Sequence, residues 1–495
     1  MNKNERLEIL EYTDQELTDA NIYRFASVLK KMEKWEEARE YFEKLQRPGV
    51  ESKLMPGVYF HLGEILIING EREKALEHFK MCLTLNPEHN KARQYINEIE
   101  GTFVQQNEPP VQMVSSAKIG ADVLNDAKQG SSISSVDEKP LKILFIQETP
   151  CIRNYKYADA LRRRGYPVTL AYTHDKLSKR YKLSDDVYED SIKIENPSHL
   201  VELCKKFDII HCHNEPDILT LGAIRSGKPV IHDTHDLLSL FLASASNKVE
   251  NSILEALAQE GAAGCIYTTH EAADAAKEMY GLKDKPVFVV GNYCSKDDVP
   301  DAGEFLSRLS EKDRGLHIVY EGGLDTTGIR DFTELFAHLS NHENIHVHVF
   351  PTNYPLANLS YVKLAEYFPR LHIYKPVSPK DLIRMMTQFD VGIIPFSNIS
   401  GSYKEFLDTT IANKLYEYLA AGLPVITSDI KSYRRFFEKN PVGFCFNDVE
   451  EIISGLPALL KQKESIDFSK YLFTYENQID GVIDFYRLVI REFKK

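Results

Sequence analysis

From residue 139 onward, short apolar runs rich in β-branched residues alternate with helix-length stretches. LKILFIQ (141–147), PVTLAYT (167–173), DIIHCH (208–213), PVIHDT (229–234), GCIYTT (264–269) and PVFVVG (286–291) form a first series. LHIVYEGG (316–323), IHVHVF (345–350), LHIYKP (371–376), VGIIPF (391–396), PVITSD (424–429) and VGFCFN (442–447) form a second. Strands separated by helices predict a doubly wound, mostly parallel sheet, and two series predict two such sheets. The α/β part therefore divides into Rossmann-like units over 139–297 and 298–480, with a C-terminal helix over 481–495. Helical pattern begins near 476, and the helix is expected to pack back across the junction. Ligands of open α/β sheets sit at the carboxyl ends of the strands, so both units should face a shared cleft.

Residues 1–101 follow a different pattern, helical and repeated. In 58–87, Leu62, Gly63, Leu66, Ala75, Phe79 and Pro87 fall at tetratricopeptide spacing; in 21–48, Phe25, Ala26, Leu29, Ala38, Phe42 and Pro48 follow the same scheme. Small residues let two antiparallel helices approach, and the aromatic fills the notch opposite. Ala38 and Ala75 lie further apart than the ~34 residues of a standard repeat, so the turn at 47–56 is expected to be extended. Residues 88–100 read as a capping helix. Two repeats bury their faces poorly alone, which predicts recruitment of a partner or self-association. The plainer alternative is a generic helical hairpin. Residues 102–138, rich in Ser, Gln, Asn and Gly without apolar periodicity, read as a flexible linker.

The 495 residues carry 43% hydrophobic and 27% charged side chains, ordinary for a globular chain. A formal charge of −13 argues against nucleic acid or an anionic membrane as the main partner. Arg162, Arg163 and Arg164, with Lys156 and the nearby Lys176, Lys179, Arg180 and Lys182, leave a local basic patch open, for an anionic acceptor or peripheral membrane contact. A solvated helix end is the plainer reading. No apolar run is long enough to span a bilayer, and the first residues lack the apolar stretch of a signal peptide. Seven scattered cysteines without a Cys-x-x-Cys pair read as reduced thiols. No zinc-ligand pattern is seen, so no metal is expected, and the expected location is cytoplasmic.

The strongest local signal is NKLYEYLAAGLPVI (413–426). Thr409 or Thr410 is expected to cap a helix over roughly 411–421, ended by Gly422, with Pro424 opening the next strand. Asn413 and Glu417 are four apart and share one face. A carboxylate there suits two vicinal hydroxyls such as those of a ribose, and Lys414 adds a charge for a phosphate. Solvated helix charges are the bland alternative. His211, His213, His232 and His235 close adjacent strands and are expected on the cleft side. Ser400–Lys404 reads as a loop that closes over a ligand or simply connects.

NKLYEYLAAGLPVI resembles the donor-binding helix of the group-one nucleotide-sugar glycosyltransferases, which have the GT-B fold of two Rossmann domains. FDIIHCHN (207–214), PVIHDTHD (229–236), VFVVGN (287–292) and FDVGIIPF (389–396) resemble further landmarks of that family in the expected order. The resemblance covers about 139–490. It implies transfer of a sugar from a nucleotide diphosphate donor, most naturally a UDP-sugar, to a protein or glycan acceptor. No cofactor and no metal are implied, and a retaining reaction is. It implies Glu417 for the ribose hydroxyls and His235 as the catalytic residue facing the reacting sugar. The family's acidic residue eight positions before the ribose glutamate is Thr409 here. Its phosphate cations are absent in register from Gly322-Gly323-Leu324 onward, leaving Arg330 and Lys414 as the nearest substitutes beside glycines that admit a phosphate. Two alternatives share the architecture: a nucleotide-sugar 2-epimerase, and a non-catalytic tetratricopeptide scaffold with degenerate transferase domains.

Overall fold

The computed structural model describes residues 18–100 and 140–495, apart from 175–185, 215, 242–247, 283, 326–327 and 353–358. The linker reading at 102–138 and the lysines and arginine of 176–182 lie outside the described residues.

Residues 18–100 form five helices, Asp19–Lys31, Trp35–Glu43, Met55–Ile68, Arg72–Leu85 and Asn90–Glu100. The small residues explain the helix pairing. A Cβ added to Gly63 would meet the Phe79 ring at 2.6 Å, so only glycine lets these helices close. Phe79 in turn stacks on Tyr95 of the last helix, centroids 4.7 Å apart. Ala26, Ala38 and Phe42 are fully buried at the equivalent contact of the first pair.

The remaining chain builds two wholly parallel sheets. The first contains β1 (Ile143–Gln147), β2 (Val168–Tyr172), β3 (Asp190–Lys193), β4 (Ile209–His213), β5 (Val230–Thr234), β6 (Gly264–Tyr267) and β7 (Val287–Val289). Their order is β3-β2-β1-β4-β5-β6-β7. The second contains β8 (Leu316–Gly322), β9 (Ile345–Pro351), β10 (Leu371–Ile373), β11 (Val391–Ile394), β12 (Val425–Ser428) and β13 (Gly443–Phe446), in the order β10-β9-β8-β11-β12-β13. β3 has no counterpart among the apolar runs. It reads DSIK, pairs only with β2 at the sheet edge, and needs no apolar face.

Both faces of the first sheet are covered, which is why its strands are continuously apolar. Phe145, Leu170, Ile209 and Ile231 face the helix Ile152–Arg163; Leu144, Ile146, Ile210 and Val230 face Leu200 and Leu203 of the helix Pro197–Cys204. The helix Tyr475–Phe493 follows the second sheet in sequence but completes the core of the first. Ile479, Val482, Tyr486 and Val489 pack with Phe145 and Tyr157. A Cβ on Gly264 would lie 2.7 Å from Val489, so glycine lets this helix seat against β6. Thr474 caps it, accepting from the Asn477 N–H at 3.3 Å.

Two expectations are corrected. Ser400–Lys404 is not a loop: Gly401–Leu407 is a helix, and Tyr403 and Phe406 stack near Phe241 of the first unit. The basic patch is largely paired. Arg162 and Arg163 bind Asp159, Arg163 also binds Asp297, Arg164 binds Asp480, and the Lys156 ammonium donates to the Tyr293 carbonyl.

Candidate active site

The second unit places Gly322, Gly323, Arg330, Lys414 and Glu417 around the carboxyl end of β8. Gly322 has φ 132°, a conformation that disfavours any side chain. A Cβ there would lie 2.5 Å from Lys414 Cε, and one on Gly323 would lie 2.7 Å from Arg330 Nη1. Both cations thus lean on the bare backbone of the glycine turn. They reach it from a later loop and from another helix, which is why no register match shows them. Ser397 and Asn398 fasten the intervening loop, donating to the Gly328 carbonyl at 3.0 and 2.7 Å. The Lys414 ammonium also stands 5.3 Å from the centroid of the Tyr320 ring. Burial lowers its proton affinity, against the opposing pull of Glu321.

The helix carrying Glu417 is Asn413–Ala420, shorter than expected. Its N-cap is Ala412, without a side-chain cap. Thr409 and Thr410 do not cap it: their hydroxyls turn back to the Phe406 and Leu407 carbonyls, at 2.7 and 3.2 Å. This corrects the place of Thr409 among the donor ligands. Its side chain is buried and spent locally, and its carbonyl accepts from Thr269 of the first unit at 2.6 Å. Thr409 joins the two units. Asn413 opens the helix, half-buried, on the same face as Glu417.

Sequence reasoning missed Glu321. It stands next to last in the apolar strand β8, is buried, and lies beside the Glu417 carboxyl. Its N–H is held by the Tyr418 hydroxyl at 3.0 Å, and its Oε1 has no partner among the described residues. Burial, then the nearby Glu417 charge, push its proton affinity well above that of an ordinary carboxyl. Glu321 is therefore the protonated partner of the pair. The one available signal was a charged residue inside an otherwise apolar strand run.

The histidines of the first unit separate on inspection. His232 points to the other face of the sheet, toward Thr220 (2.9 Å) and Asp217. His211 is fully buried between Asp233 (3.2 Å) and the Tyr486 hydroxyl (2.6 Å). Neither lines a cleft, which corrects the expectation of four cleft histidines. Asp233 is claimed by Arg153 through two hydrogen bonds of 3.0 Å each. The Arg153 guanidinium further donates to Gly291, Asn292 and Tyr475. A cation already fills the cage of His211, His213 and Asp233, so that cluster reads as an ion-pair network.

His235 sits just past β5 with its backbone fixed at both ends: its N–H donates to Asn214 and its carbonyl accepts from Thr268. Its ring is 17% exposed, 3.2 Å from His213 Nδ1 and 3.9 Å from Cys151 Sγ. Burial drives its pKa down to about 3, so the imidazole is neutral. Burial raises the proton affinity of the next residue, Asp236, against the opposing pull of the Arg330 and Arg153 charges.

This geometry defines a class: two Rossmann units, one with a glycine turn flanked by Lys414 and Arg330, the other with a neutral histidine just past a strand end. Residues 153–294 match the profile of Glycosyltransferase Family 4, residues 315–462 that of Glycosyl transferases group 1, and residues 56–89 a tetratricopeptide repeat. Both Rossmann units thus carry glycosyltransferase domains in a GT-B arrangement, preceded by a tetratricopeptide repeat. No curated protein matches it. Among solved structures it is similar to Anabaena HepE in complex with UDP, at 11% identity and TM-score 0.50, over 72% of this chain and all of that one. It is also similar to the O-GlcNAc transferase of Thermobaculum terrenum (14%, TM-score 0.44, 97% and 99% covered). A third is the UDP-GlcNAc 2-epimerase of Neisseria meningitidis bound to UDP-GlcNAc (12%, TM-score 0.45, 70% and 99%). Among the described residues no helix is long and apolar enough to cross a membrane.

Proposed function

We propose that the chain moves a sugar from a nucleoside diphosphate donor, a UDP-sugar by preference, to a protein or glycan acceptor. The carrying observation is the convergence of Arg330 and Lys414 on Gly322 and Gly323, one helical turn from Glu417. The diphosphate would lie on the glycine turn. There the two cations offset the charge that grows on it as the glycosyl bond breaks. Glu417 would accept from the two ribose hydroxyls, with Asn413 beside it. His235 would face the sugar from the first unit and offer a neutral ring nitrogen to a sugar hydroxyl. The acceptor would enter from that same unit, and the reaction would retain the anomeric configuration, which product NMR can read. The scaffold alternative rests on missing phosphate cations, a role that Arg330 and Lys414 would take in this reading. We place the enzyme in the cytoplasm.

Glu417→Ala should weaken nucleotide binding by about 1.5–3 kcal/mol, the range for a hydrogen bond to a charged group, while the fold survives. Isothermal calorimetry with UDP measures it, and unchanged affinity would remove Glu417 from the donor site. The repeats would recruit the acceptor or a second copy. A chain starting at Glu138 should keep donor binding and lose self-association or turnover of the physiological acceptor. Light scattering and an acceptor assay that match the full chain in both respects would end the recruitment reading. An epimerase, by contrast, would turn over the free nucleotide sugar with no acceptor present.

A further inference from the structure

Opposite the donor site, the amino ends of β8, β9 and β10 carry four histidines on one face. His317 and His346 are direct cross-strand partners, as are His348 and His372. Their rings stack across the sheet: His317 on His346 at 4.7 Å, His346 on His372 at 5.5 Å, His348 on His372 at 4.6 Å. Aliphatic side chains would fill this face at lower desolvation cost, so four imidazoles call for another account.

We propose that Asp313, His317 and His346 form a site for a nitrogen-preferring divalent cation such as Zn²⁺. One carboxylate oxygen and one nitrogen from each ring lie within 4.8 Å of one another. Asp313 Oδ1 and His317 Nε2 are already 3.1 Å apart, close to the separation of two ligands ~2.0–2.1 Å from a tetrahedral zinc ion. Gly315 keeps the space open. A Cβ there would stand 3.1 Å from His346 Nε2 and 3.2 Å from Asp313 Oδ1. Both imidazoles would thus ligate through Nε2, and each has its Nδ1 held by an outer partner: His372 Nε2 at 3.2 Å from His346, and His348 Nε2 at 2.8 Å from His317. His348 is held in turn by the Tyr374 hydroxyl at 2.8 Å. That outer shell is what orients and tunes metal-bound histidines. Asp313 is 47% exposed, which leaves an entry path and room for a water as fourth ligand. The ion would staple the turn before β8 to the sheet. Five residues separate His317 from Gly322, roughly 16 Å along the strand, so the metal would take no part in donor binding.

The test strips the full-length protein with a chelator, dialyses it, and titrates Co²⁺ by absorbance, with Zn²⁺ as competitor. One equivalent should bind with the d–d spectrum of a four-coordinate site, and Zn²⁺ should displace it and raise the melting temperature. Asp313→Asn, at a half-exposed position, should lower the affinity at least 100-fold with UDP binding unchanged. His372→Gln, removing only an outer partner, should lower it 10–100-fold. No stoichiometric binding, or binding that survives Asp313→Asn and His346→Gln alike in folded protein, overturns the site.

Discussion

Arg153→Met should destabilise the protein by about 3–5 kcal/mol, the cost of stranding a buried charge whose partner is removed. Asp233 is wholly buried, which alone would raise its proton affinity; the Arg153 charge, with the His211 hydrogen bond and the nearby histidines, turns the balance and holds the carboxyl well below the usual range. A loss of that size is a large part of the 5–15 kcal/mol of a typical domain. Urea unfolding followed by circular dichroism reads it. Arg153→Met combined with Asp233→Leu should recover much of the loss, since a buried pair replaced together by apolar groups is often neutral. If Arg153→Met alone unfolds like the parent, the pair is not a keystone of the first unit. The same cluster sets an acid limit. Asp233 has a depressed proton affinity in the fold, so its contribution is complete above the unfolded value near pH 4 and is lost as pH falls further. His235 and His232 are lowered to about 3 and about 4, so they stay neutral in the fold and charge on unfolding. Their contribution is complete above about pH 6.5 and erodes from there down toward pH 4. Stability should decline on acidification well before ordinary carboxylates titrate.

His235→Ala should lower kcat by about 10²-fold or more while leaving UDP affinity nearly unchanged. Its proposed partner is the reacting sugar, so the interaction matters most in the transition state. Steady-state kinetics with calorimetry on the same protein separates the two effects. Near-normal turnover would return His235 to the ion-pair network formed by its neighbours. A fall in UDP affinity equal to the fall in kcat would place its contact on the nucleotide instead.

The strand runs were legible because a sheet covered on both faces demands unbroken apolar stretches, and twelve of the thirteen strands coincide with such a run. β3 escaped because an edge strand carries no such demand. The helix of Glu417 was legible from Gly422, whose φ of 72° ends it. Its beginning was not, because Thr409 and Thr410 bond backward, and only the surrounding chain decides which way a hydroxyl turns. Arg330 and Lys414 could be named as cations, but their meeting at Gly322 and Gly323 depends on how a loop and a helix from different parts of the unit pack. Glu321 was hidden for the opposite reason. Its chemistry comes from burial beside a second carboxylate, which one-dimensional spacing does not encode. His211 and His213 look like strand-end ligands in the sequence, yet both are buried and stacked beside Asp233, a core placement that only the packing of Asp233, Arg153 and Tyr486 reveals.

The seating of Tyr475–Phe493 on the first sheet has a consequence for biosynthesis. The Arg153 guanidinium and the Tyr475 hydroxyl that it contacts are 322 positions apart. At a translation rate of roughly 5–20 residues per second, the first unit waits on the order of half a minute for the helix that completes its core. During that time the faces of Phe145 and Tyr157 that Ile479, Val482 and Tyr486 later cover are open on the ribosome-bound chain. The first unit therefore cannot mature in the usual amino-to-carboxyl order. It closes its core only after every strand of the second sheet has been made.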